Sequence, residues 1–145
     1  MKRVVMAMLW SVCSSVPALA SSVVSLSELQ PGERLHIAYY SRGCFHDRKY
    51  EIDFERGKSV IARNSGRSIT LSAREVAGLD KLIDFYRTRP SGGCTTQDKI
   101  TIRLFRDGQK TSGEHYVDGS CATGEMKGIT RIYDIAKKLG LVRES

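Results

Sequence analysis

The sequence contains no C-x-x-C pair, no zinc-ligand spacing, and no basic motif interleaved with aromatics. The first absence removes the usual setting for a low-pKa thiol. The second argues against a zinc-finger or zinc-ribbon module, and the third against a nucleic-acid binder. Beyond residue 20 no apolar run is long enough to cross a bilayer, so no stable membrane insertion is expected. Internal repeats and low-complexity tracts are also missing, which leaves an ordinary globular domain. No motif implies a cofactor or a resident metal.

What is present begins with an export signal. Lys2 and Arg3 form a basic start, Val4 to Val16 are mostly apolar, and Ala18-Leu19-Ala20 is an A-x-A cleavage site. Residues 1–20 are read as a cleaved signal peptide, placing the mature chain in the periplasm or outside the cell from Ser21 onward. Lipidation at Cys13 is the alternative, but Trp10-Ser11-Val12 lacks the small residue wanted just before such a cysteine. Loss of Lys2 and Arg3 lowers the formal charge of +7 by two, and the single Trp, Trp10, leaves with the leader. The positive balance suits an acidic protein, anionic lipid or peptidoglycan carboxylates.

Three cysteines remain in the mature chain: Cys44, Cys94 and Cys121. Export favours a disulfide, and the odd count leaves one thiol over. The pairing follows from a hairpin. Ile100, Ile102 and Leu104 alternate with Thr101, Arg103 and Phe105, the period of a half-buried strand. Asp107-Gly108 supplies the two positive-φ residues of a type I′ turn. Arg106 then faces Gln109, and the same register brings Cys94 opposite Cys121. Closing this loop of about 28 residues adds roughly 3–4 kcal/mol under the chain-entropy model. This clipped hairpin is expected to organise the fold, with Cys44 left as a partly buried thiol.

Residues 21–32 read as a flexible lead-in ending at Pro31-Gly32, and residues 33–145 as one α+β domain. Glu33–Tyr40 and Arg48–Phe54 alternate as strands, with Ser41–Asp47 as an irregular loop between them. Ser59–Arg63 and Ser68–Leu71 add two short strands around Asn64-Ser65-Gly66. Ser72 as N-cap and Glu75 three residues later form a capping box for a helix. Its apolar stripe is Val76, Leu79, Leu82, Ile83 and Tyr86, and Pro90 stops it. Met126, Ile129, Ile132, Ile135 and Leu139 mark a second helix ending at Gly140. The expected architecture is an antiparallel meander sheet with two helices packed on one face and one intrachain disulfide.

Chemistry is sought first in Cys44-Phe45-His46-Asp47. In an extended segment residues two apart point the same way, so Cys44 and His46 can meet as nucleophile and base. That pair defines the alternative function, a thiol-dependent hydrolase or transferase. A metal reading would draw on Cys44, His46, His36 and His115, of which only the first two are close in sequence. With a two-residue turn, His115 and Val117 share the face of Ile100 and Ile102; a bulged turn swaps the faces and buries Tyr116 instead. Cys94 and Cys121 are read as a structural staple.

Gly43-Cys44-Phe45, then Tyr50-Glu51-Ile52, a Gly-containing turn and a capped helix resemble a group of uncharacterised exported bacterial domains. The resemblance covers element order from Glu33 to Leu139. Where those domains carry a second cysteine followed by proline, this chain has Arg48-Lys49. The resemblance implies export and brings no activity or catalytic residues. The function expected is therefore non-enzymatic binding of a protein or cell-envelope component, as an inhibitor or immunity-type factor.

Overall fold

A computed structural model describes residues 25–88, 92–124 and 126–142. The leader, Ala20, Cys13 and Pro90 lie outside the described residues. Six strands run β1 (Glu33–Gly43), β2 (His46–Arg56), β3 (Val60–Asn64), β4 (Arg67–Thr70), β5 (Gln97–Arg106) and β6 (Gln109–Asp118). Helix α1 (Ala73–Thr88) joins β4 to β5, and α2 (Ile132–Lys138) follows β6. No helix among the described residues is long and apolar enough to cross a membrane.

The sheet is antiparallel throughout, in the order β4-β3-β2-β1-β5-β6. Its first four strands form a meander. The chain then returns through α1 and lays β5 along the other side of β1. The clipped hairpin β5–β6 thus lies at one edge of the sheet, and β1, paired over its whole length on both sides, is the centre. The sequence expectation placed the hairpin at the centre because its turn signal is the clearest in the chain. A turn, however, fixes only local pairing.

Register sets the core. Leu35 lies between Phe54 and Leu104, Ile37 between Ile52 and Ile102, and Tyr39 between Tyr50 and Ile100. The aliphatic members and Phe54 are buried. Each such side chain contributes about 1.5–3 kcal/mol of burial free energy. They join Leu79, Leu82, Ile83, Ile132 and Ile135 in one cluster. Leu26 and Leu29, in the stretch read as a lead-in, are buried in the same cluster. The Leu26 and Ser27 N–H groups donate to the two carboxylate oxygens of Asp80 on α1, at 2.6 and 3.1 Å.

The capping box forms as the sequence implies. The Glu75 N–H donates to Ser72 Oγ at 3.3 Å, and the Ser72 N–H donates to Glu75 Oε2 at 2.9 Å. Lys138 at the end of α2 also bonds Glu75, tying the two helices together. This ammonium and the Ser72 N–H hold the Glu75 carboxyl down at about 2.

Helix α2 is shorter than the apolar spacing implied. Met126 and Ile129 pack partly buried against the core ahead of it, on either side of Gly128 at φ +77°, and the extended N-cap Arg131 starts the helix only after them. Its far end is a Schellman cap: Gly140 at φ +68°, with Gly140 N–H to Lys137 O and Leu141 N–H to Ala136 O, both 2.9 Å.

The Ser41–Asp47 loop is instead strand on both sides of a two-residue turn, Cys44-Phe45. Cys44 is exposed, not partly buried. Asp107 (φ +50°) and Gly108 (φ +78°) form the expected turn, and Cys94 pairs with Cys121 at a Cα separation of 5.8 Å.

Candidate functional site

The inward face of the sheet does not stay apolar along its length. One row past Tyr39 the same parity of positions carries Arg48, Ser41, Asp98 and Asp118, paired side by side across β2, β1, β5 and β6. The next pair, Gly43 and His46, closes the β1–β2 hairpin.

Arg48, Ser41 and Asp98 of this row floor a cleft of about 310 Å³, with Asp118 buried beside Asp98. Leu82 and Tyr86 of α1 line one wall, and Arg131, Ile132 and Tyr133 at the start of α2 line another. Cys121 and Thr123 complete it, so the disulfide anchors the segment beside the floor.

Asp98 is 8% exposed and Asp118 3%. Asp98 Oδ2 accepts the Tyr86 hydroxyl at 3.3 Å, and Asp118 Oδ1 accepts the Ser120 N–H at 3.0 Å. Asp98 Oδ1 is buried without a hydrogen-bond partner. Burial and then the charge of Asp98 push the Tyr39 hydroxyl up to about 12, and burial pushes Tyr86 upward as well. Both hydroxyls are therefore protonated donors at neutral pH. At the mouth the Arg48 guanidinium lies over the Tyr133 ring, 4.5 Å from its centroid.

His46 belongs to this cleft. Its Nε2 meets Ser41 Oγ at 2.9 Å, and its ring crosses Gly43. A Cβ on Gly43 would stand 2.7 Å from His46 Cε1 and 2.8 Å from Thr96 Oγ1. Glycine is thus the residue that leaves room for the imidazole.

Cys44 sits in the turn itself, beside Phe45, the one large exposed apolar side chain among the described residues at 101% exposure. The expectation that Cys44 and His46 share an extended segment is not met, because the turn falls between Gly43 and His46. His36 bonds Asp53 Oδ1 at 2.9 Å and His115 bonds Thr101 Oγ1 at 2.9 Å, both on the opposite side of the sheet from His46. The histidines and Cys44 do not converge.

His115 faces away from the core because Thr111 bulges out of β6. Phe105 faces Lys110, but Leu104 faces Ser112, and every later residue changes side. Glu114 and Tyr116 turn inward in its place. Arg87 Nε donates to Glu114 Oε2 at 2.9 Å, and the Tyr116 hydroxyl donates to the same oxygen at 3.0 Å.

Sequence reading missed Asp98, Tyr39 and Tyr133 as cleft residues, and Asp118 as the neighbour of Asp98. One signal was available: Asp98 lies in phase with Ile100, Ile102 and Leu104, a charge at an inward position. No family model matches the chain, and no curated protein or solved structure matches it either.

Proposed function

We propose that the chain is a small exported binding protein, cleaved after Ala20, that acts in the periplasm or outside the cell on a protein of the envelope. It works without catalysis, as an inhibitor or immunity-type factor. Both helices cover the same sheet face in this reading, which leaves the hairpin tip clear of them. The observation that carries it is Phe45, fully exposed on a two-residue turn between two eleven-residue strands. The ladder continues to Gly43 and His46, so the aromatic is presented by paired backbone up to the turn. A pre-positioned aromatic is the kind of side chain that anchors an interface by filling a pocket. Arg42 lies beside the tip, paired across the ladder with Asp47.

Capture from an envelope extract by the wild type and by Phe45→Ser tests this. Phe45→Ser touches no core residue and should fold normally. Loss of at least tenfold of a specific captured protein is expected. A protein held equally well by both forms would remove the tip from the interface. Intact-mass analysis of the exported chain should begin at Ser21; a chain retaining Met1, or starting at a lipidated Cys13, would contradict the export step.

A further inference from the structure

The cleft has a chemistry of its own, independent of the hairpin tip. Its floor holds a carboxylate with one satisfied and one orphan oxygen, both inside a buried wall. Asp118 stands directly opposite on the ladder, where facing Cβ atoms are about 4.5–5.5 Å apart. Two facing carboxylates repel, and a positive charge beside them would offset this. The other polar groups of the cleft are the Tyr39 and Tyr86 hydroxyls, Ser41, Thr96 and the His46 imidazole, whose Nε2 is taken up by Ser41 Oγ. Arg131 turns its Nε and Nη2 to Asp134, at 3.1 and 3.0 Å. Arg48 lies flat on Tyr133 at the mouth.

An occupant that satisfied the floor alone would be a cation, and Arg48 at the mouth would oppose it. An occupant that satisfied Arg48 alone would be an anion, and Asp98 would oppose it. Both are met by one molecule with an ammonium at one end and a carboxylate at the other. An ammonium offers three donors to the orphan oxygen and its surroundings. A guanidinium stacked on an aromatic ring still presents its edge to a carboxylate.

Span narrows the choice. Arg48 and Asp98 flank Ser41 on adjacent strands, so their Cα atoms are two strand spacings apart, about 10 Å. Charges on a single α-carbon are too close together to reach both side chains comfortably. A cleft of about 310 Å³ is at the small end for ligand sites. Leu82 and Ile132 offer apolar wall to a short stem. We propose that this cleft binds a dipeptide-sized zwitterion, its ammonium on Asp98 and its carboxylate on Arg48.

Titration of the mature chain, followed by NMR of the Tyr86 and His46 rings, provides the test. The probes are glycyl-leucine and 6-aminohexanoate, with hexylamine and hexanoate as single-charge controls. At least one zwitterion should saturate the shifts, with both controls at least tenfold weaker. Saturation by glycyl-leucine alone assigns the site to peptides; saturation by both assigns it to any ammonium–carboxylate pair of that span. Asp98→Asn and Arg48→Gln should each weaken the zwitterion at least tenfold. Arg48 is exposed, so Arg48→Gln decides the matter even if Asp98→Asn does not fold. It should weaken the zwitterion and leave hexylamine no weaker. Failure of both zwitterions to saturate, hexylamine binding as tightly as 6-aminohexanoate, or an Arg48→Gln protein with unchanged affinity would each overturn the proposal.

Discussion

In the Leu35, Ile37 and Tyr39 rows of the sheet, the residues across β2, β1 and β5 are aliphatic or aromatic, and beyond them buried Glu33 is neutralised by Arg106. Toward the Ser41 end the same face carries Arg48, Ser41, Asp98 and Asp118. The backbone pairing is the same at both ends, so the difference lies wholly in side-chain chemistry. In the three apolar rows the inward residues add burial free energy. At the polar end two buried carboxylates face each other, an arrangement that opposes folding. Departure from a self-consistent core is the pattern expected where a surface serves binding.

The largest expected effect is at the apolar end. Leu79 is fully buried on α1, so Leu79→Ala should cost about 2–5 kcal/mol in a denaturant melt. A cost below about half a kilocalorie, far under that range, would mean the stripe is not core.

Gly78 sharpens the same point. A mid-helix glycine is ordinarily improved by alanine, by about 1 kcal/mol. Here an added Cβ would stand 2.2 Å from Thr130 Oγ1 and 2.8 Å from Thr130 N, and the second is backbone. Gly78→Ala should therefore destabilise, by about 1–3 kcal/mol as for an overpacked core. A gain in stability would show that the segment before α2 yields easily.

A smaller effect comes from the Glu75 junction between the helices. Its carboxyl is lowered from 4.5 to about 2, chiefly by the Lys138 ammonium and then the Ser72 N–H. The stabilisation is complete above the unfolded value, near pH 4.5, and is lost as pH falls through about 2. Glu75→Gln should flatten the stability profile across that window. An unchanged profile would assign the acid sensitivity to other carboxylates.

Legibility follows the same division. Local signals were readable: Ser72 with Glu75, Asp107-Gly108, and the hairpin that brings Cys94 to Cys121. Signals that need the third dimension were not. Met126 and Ile129 share the spacing of α2, and only the backbone, turned at Gly128 and extended at Arg131, shows that the helix starts later. Cys44-Phe45 carries no glycine or asparagine to announce a tight turn, and neither residue adopts positive φ. The Thr111 bulge has no sequence mark, yet it decides whether His115 or Tyr116 faces the core. Leu26 and Leu29 sit in a polar stretch whose anchor, Asp80, lies on α1. The cleft was least legible, since Arg48, Ser41, Asp98 and Asp118 become neighbours only through the register of three separate pairings.

The most direct measurement compares the stability of Asp98→Asn with that of the wild type in the absence of any ligand. If the polar row is a binding surface, removing one of two facing charges should leave stability unchanged or raise it by about 0.2–1 kcal/mol. A loss of about 2 kcal/mol or more, the scale of a buried apolar truncation, would show that Asp98 is part of the structural core. The carboxylate would then be held by the fold through its Tyr86 bond, and the polar row would not be the unfavourable end that the comparison claims.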